Sequence, residues 1–86
     1  MSIEVLKFSA TWCGPCRVLA NTLKDVDGIT NIDIEKDQET ARKYGIRSVP
    51  TMVFLKNGEE VHRISGSMPL ETYKQILNEI NDSKEL

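Results

Sequence analysis

Strand-forming and helix-forming patterns alternate along the whole of this chain. Ile3-Glu4-Val5-Leu6-Lys7-Phe8 reads as a short strand, and Val18, Leu19 and Leu23 then fall on a helical stripe from about Gly14 to Lys24. Asp25-Val26-Asp27-Gly28 ends that helix, and Ile29, Ile32 and Ile34 mark a second strand. Asp37 can cap a short helix through Tyr44, with Gly45 at the position where a left-handed glycine closes a helix. Thr51-Met52-Val53-Phe54-Leu55 is a continuous apolar run, which predicts a strand buried on both faces. Asn57-Gly58 is a type I′ hairpin signal leading into a strand over Glu60–Ser65. Pro69 opens a last helix, on which Leu70, Tyr73, Ile76, Leu77 and Ile80 recur at three- and four-residue steps. The order βαβαββα predicts an α/β fold: a four-stranded mixed sheet flanked by helices on both faces.

Composition narrows this picture without redirecting it. The 86 residues suffice for one small domain, expected to span 1–86. With 40% apolar and 28% charged residues the chain is ordinary for a soluble protein, and a net charge of −2 leaves no footprint for nucleic acid. No apolar run approaches the ~20 residues of a membrane span. Met1 leads into a strand-like segment rather than a basic and then apolar leader, so no signal peptide is expected. Two cysteines without an export signal point to the reducing cytoplasm, where a lasting structural disulfide is not expected. The sequence carries no sign of an oligomer, and a monomer is expected.

Both cysteines lie in Cys13-Gly14-Pro15-Cys16, between the first strand and the first helix. Two thiols at this spacing can close a disulfide or stay open without large backbone movement. Zinc would want four ligands, and two thiols with a distant His62 fall short unless a second copy contributes. A C-x-x-C between strand and helix in a βαβ pattern is therefore read as a site of reversible two-electron chemistry. The nucleophile in such chemistry is the thiolate, and a free cysteine, titrating near 8.5, is only about 3% ionised at pH 7. A helix N-terminus favours negative charge by up to ~2 kcal/mol, which pulls the thiol of Cys13 downward. Pro15 is tolerated in the first turn because the N–H groups there lack intrahelical partners.

Three blocks of the chain resemble the thioredoxin family. They are Phe8-Ser9-Ala10-Thr11-Trp12-Cys13-Gly14-Pro15-Cys16, then Lys43-Tyr44-Gly45-Ile46-Arg47-Ser48-Val49-Pro50-Thr51, then Leu55-Lys56-Asn57-Gly58-Glu59 with Gly66. They occur in the family's order, at roughly its spacing, over most of the chain. Typical members carry an extra N-terminal strand and helix, so the resemblance is to the minimal core, and in length the chain is closer to glutaredoxins. The resemblance implies a thiol–disulfide oxidoreductase acting as a protein disulfide reductase, with no bound cofactor beyond a redox-active Cys13–Cys16 disulfide. Cys13, expected to be the more exposed, would attack a substrate disulfide, and the more buried Cys16 would resolve the mixed disulfide. Pro50 is expected after a cis bond, turning the Val49 backbone toward a substrate strand that pairs with it. Trp12, Gly14, Pro15, Val49, Pro50 and Gly66 would frame a shallow apolar groove. Implied partners are disulfide-bearing proteins, an NADPH-fed thioredoxin reductase as electron donor, and ribonucleotide reductase as a client.

Two positions depart from the family. A buried aspartate usually stands five residues before the active-site tryptophan, paired with a lysine; here the two positions carry Lys7 and Asn31. Lys7 either favours the Cys16 thiolate and makes the couple more oxidising, or extends its ammonium to solvent past an apolar stem. Two other functions stay open at this point: a glutaredoxin-like protein reduced by glutathione, and a docking module on the same fold whose thiols are incidental.

Overall fold

A computed structural model describes residues 3–82. The elements run β1 (Ile3–Ser9), α1 (Gly14–Thr22), β2 (Ile29–Asp33), α2 (Gln38–Lys43), β3 (Thr51–Lys56), β4 (Glu59–Ser65) and α3 (Leu70–Asp82), which is the predicted order. Side by side the strands lie β2-β1-β3-β4. β1 runs parallel to β2, with Val5 opposite Ile29 and Phe8 opposite Ile32. It runs antiparallel to β3, with Leu6 opposite Val53, and β3 and β4 form the antiparallel hairpin.

The two inner strands carry apolar side chains on both faces, because both faces are covered by helices. On one face Val5, Met52 and Phe54 pack against Leu19 and Leu23 of the α1 segment and Tyr73, Ile76 and Ile80 of α3. On the other, Leu6, Phe8, Val53 and Leu55 meet Ala41, Tyr44 and Ile46 from the α2 region. Every residue of β3 is buried, as its unbroken apolar run predicts. β4 is an edge and is mostly exposed, and its pairing with β3 shifts register between Phe54 and Leu55, leaving Val61 as the extra residue.

Local chemistry explains where the elements turn. Asn57 and Gly58 both have positive φ, 54° and 86°, the requirement of a type I′ turn that Asn-Gly satisfies at least cost. Asp37 caps α2 by accepting from the Thr40 N–H at 3.1 Å and the Thr40 hydroxyl at 2.8 Å. These bonds hold the Asp37 carboxyl below its ordinary range. α1 stops at Thr22, two residues short of the expected Lys24. Leu23 has left helical geometry (φ −101°, ψ 12°) yet keeps its N–H on the Leu19 carbonyl at 3.0 Å and its side chain in the core. The apolar stripe thus outlasts the helix by one residue. No helix among the described residues is long and apolar enough to cross a membrane.

The last helix is held by a buried charge. Lys56, 5% exposed, donates from Nζ to the Ile80 carbonyl at 3.0 Å, supplying a cation to carbonyls at the C-terminal end of α3, where the macrodipole favours one. Replacing Lys56 by Ala should cost about 1.5–3 kcal/mol, the range for a hydrogen bond to a charged group. Urea titration checks this, and faster hydrogen exchange confined to the last turn of α3 would locate the loss.

Candidate active site

The loop between β1 and α1 folds back on itself before the helix begins, with the Cys13 N–H on the Ala10 carbonyl at 3.2 Å. Cys13 is the N-cap residue of α1, extended at φ −96° and ψ 111°, and Pro15 lies inside the first turn. The sulfur does the work that a serine or aspartate oxygen does at other helix starts: its Sγ accepts the Cys16 N–H at 3.1 Å. No acidic residue stands in the first turn, so no carboxylate competes for the positive end of the helix dipole. An anionic sulfur at Cys13 is favoured by both features.

Cys13 and Cys16 are joined as a disulfide, their Cα atoms 5.2 Å apart. The expected difference in exposure between them is absent: Cys13 is 4% exposed and Cys16 5%. In the disulfide the Cys13 sulfur is turned inward over the helix start, where both cysteines pack with Ala10 against Ile34 and Val49. What distinguishes the two sulfurs is therefore position on the helix rather than burial. Among the described residues no group of three or more metal-ligating side chains converges, so the pair has no third ligand beside it.

Opposite the thiols, the Val49–Pro50 bond is cis, as expected. The Val49 carbonyl oxygen lies 3.7 Å from Cys13 Sγ. Pro50 is buried, and its own carbonyl accepts the Gly66 N–H at 2.8 Å. Gly66 has φ +90°, in the region that side chains disfavour, and a Cβ built there would meet nothing within 4 Å. Backbone conformation, not crowding, therefore asks for glycine at Gly66. Thr51 steadies the same segment, donating from its hydroxyl to the Ser48 carbonyl at 2.8 Å. On the solvent side, Trp12 is 65% exposed and Gly14 and Pro15 are exposed with it. The six predicted groove residues come from three segments: the active loop, Val49-Pro50, of which Val49 packs against the cysteines, and Gly66, which bonds Pro50.

Two contributors escaped the sequence reading. Arg17 ties the helix back to the active loop, donating from Nη2 to the Thr11 carbonyl at 3.0 Å. Its spacing of four from Cys13, on the same helical face, was the available signal. Ile34 packs against both the cysteines and the α2-side core. It follows the end of β2, and only the parallel β1–β2 register brings it there.

Lys7 lies in the middle of β1, opposite Asn31 on β2 and Met52 on β3. It is 7% exposed, and burial pulls its ammonium below the ordinary lysine range. It lines a cavity beneath α1 together with Ala20, Leu23, Lys24, Val26, Ile29 and Asn31. The pair of departures from the family pattern is thus one structural unit, Lys7 beside Asn31. A lysine whose folded pKa is depressed binds fewer protons folded than unfolded, so stability rises with pH through the window between the depressed value and 10.5. Below that window the whole cost is present. Lys7→Met should therefore raise the urea midpoint of the oxidised protein at pH 7, with the gap to wild type closing as pH climbs toward 10.5. Parallel midpoint curves for the two proteins would contradict it.

The geometry accords with three comparisons. The thioredoxin family profile matches residues 2–79. The chain is 40% identical to a thioredoxin of Bacillus subtilis, the match covering 88% of this chain and 80% of that protein. It is 34% identical, with the same coverage, to a thioredoxin of Staphylococcus epidermidis. Among solved structures, reduced Schistosoma mansoni thioredoxin pre-protein superposes with a TM-score of 0.81 at 35% identity, over 90% of this chain and 77% of that one. A mutant thioredoxin from Halobacterium salinarum gives 0.85 at 28% identity, over 96% and 78%.

Proposed function

We propose that this chain, which belongs to the thioredoxin family of thiol–disulfide oxidoreductases, serves as a cytoplasmic protein disulfide reductase, a single thioredoxin domain over residues 1–86. The observation that carries the reading is Cys13 Sγ at the N-cap of α1, accepting the Cys16 N–H at 3.1 Å and lying 3.7 Å from the Val49 carbonyl. The first sets up a nucleophile. The second sets it beside half-buried Val49, whose backbone an extended substrate would pair with.

In the reduced protein the Cys13 thiolate attacks one sulfur of a substrate disulfide. The Cys13–substrate bond forms, the substrate S–S bond breaks, and the departing sulfur leaves as a thiolate that takes a proton from water. Cys16, one helical turn on, gives its proton to water and attacks Cys13 Sγ; the Cys13–substrate bond breaks, the second substrate sulfur leaves as a thiolate that takes a proton from water, and the Cys13–Cys16 disulfide remains. Two electrons pass to the substrate and no group beyond the two thiols is needed. The substrate strand lies against Val49, between Trp12, Gly14 and Pro15 on one side and Pro50 and Gly66 on the other. Backbone pairing at Val49 makes few demands on sequence, so the clients are disulfide-bearing proteins as a class, ribonucleotide reductase among them. The electrons return from a thioredoxin reductase.

Lys7 is proposed to tune this couple. A cation beneath α1 favours the Cys16 thiolate and so the reduced form; about 1.4 kcal/mol of such stabilisation would raise the potential by ~30 mV. Lys7→Met should make the couple more reducing by about that amount; equal potentials for the two proteins would remove Lys7 from this role.

Insulin-disulfide reduction tests the reading, run once with NADPH and thioredoxin reductase and once with glutathione and glutathione reductase. Fast turnover with the first pair and slow turnover with the second is expected. The reverse would assign a glutaredoxin-like role, and no turnover with either would leave the fold as a docking module.

A further inference from the structure

The cavity under α1 has the wrong chemistry to be a gap in the core. It measures about 340 Å³, and its lining includes two lysines, Lys7 and Lys24, and the polar Asn31, with Leu23, Val26 and Ile29 as walls. No carboxylate lines it; Asp25 and Asp27, on the adjoining turn, are absent from its walls. Lys7 is more than nine-tenths buried and meets no hydrogen-bond or ion-pair partner among the described residues. Its stem is covered, but its ammonium is not closed off from solvent, so an anion entering the cavity can reach it. Lys24, exposed on the turn that ends α1, stands at the same cavity.

We propose that this cavity is a binding site for a small, doubly charged oxyanion of the phosphate type. Lys7 holds it from the floor, Lys24 from the segment after α1, and the Asn31 amide donates from β2. Two cations match two negative charges, and the three residues come from three segments, β1, the turn after α1 and β2. The site is formed by the segment after α1 and the strands beneath, and none of the proposed substrate-groove residues lines it. The proposal stands independently of the thiol chemistry.

Inorganic phosphate is the probe, titrated into the oxidised protein at neutral pH while backbone amides are followed by NMR, with sodium chloride holding ionic strength constant. Saturable shifts centred on residues 7, 24 and 31 are expected. Lys7→Met should weaken the affinity by about ten- to a hundredfold, the range for losing a charged hydrogen bond, and Lys24→Ala should weaken it less. Lys7→Met is expected to fold, since it removes a buried charge, and its dispersed amide spectrum verifies that before the titration. The proposal is overturned by shifts that never saturate, by the same response to sodium chloride alone, or by equal binding to folded Lys7→Met.

Discussion

Cys13→Ser should bring disulfide reduction down to the rate of the chemical reductant alone, with the fold intact. A serine hydroxyl at this N-cap can accept the Cys16 N–H much as the sulfur does at 3.1 Å, and serine is a favoured cap. The helix start therefore survives the exchange. What is lost is ionisation: a thiol titrates near 8.5 and is pulled lower by the helix terminus, while an alcohol stays protonated at any pH the protein tolerates. The activity rests on the thiolate, so this single atom change removes nearly all of it. Insulin turbidity at matched dithiothreitol measures the effect, and unchanged far-UV circular dichroism separates chemistry from unfolding. Residual turnover well above the reagent rate would mean that Cys16 alone can begin the reaction.

Phe54→Ala should be the most damaging change to the fold. Phe54 is fully buried in β3, with ring centroids 6.0 Å from Tyr73 and 5.6 Å from His62. It links the sheet to α3. Truncating a buried phenylalanine costs about 3–5 kcal/mol through lost transfer energy and the cavity left behind. A chain of this length has roughly 4–13 kcal/mol in total, so a large share of the stability goes. The melting temperature should fall by about 12–40 °C, at roughly 4–8 °C per kcal/mol for a domain of this size. Calorimetry gives the number, and a loss under 1 kcal/mol would mean that α3 is not anchored through this ring.

Much of this was legible because the signals were local. Asn57-Gly58 needs only two residues to specify its turn, and both adopt positive φ. The run Thr51–Leu55 announces two covered faces, and every residue of it is buried. Gly45, at φ 63°, closes α2 where expected. What stayed hidden depends on distant pairs. Lys56 reads as a surface lysine at a strand end until Ile80, twenty-four residues away, presents its carbonyl. Arg63 reads as a solvated charge on an edge strand, yet it bonds the Tyr44 carbonyl at 2.6 Å while holding Glu60. That contact pulls the Glu60 carboxyl below its ordinary range and raises the Arg63 guanidinium.

The active site shows the same division. The C-x-x-C spacing marked the thiols, and the family resemblance marked the proline opposite and Gly66, whose positive φ it did not announce. The expectation of an exposed first cysteine failed because exposure follows how the closed disulfide packs on Ile34 and Val49, which spacing does not encode. The departure at Lys7 was visible as an isolated oddity. Its meaning came from the strand register, which sets it beside Asn31 and under the segment ending α1.

Trapping separates the two cysteines most directly. Cys16→Ser protein, reduced and mixed with a disulfide substrate, should accumulate a mixed disulfide, because the first attack proceeds and resolution cannot. Intact-mass spectrometry should show one substrate chain per protein, and peptide mapping should place it on Cys13. Dithiothreitol should release it. Release of free substrate thiol at the wild-type rate with no adduct on Cys13 would contradict the assignment of Cys13 as nucleophile and Cys16 as resolving thiol.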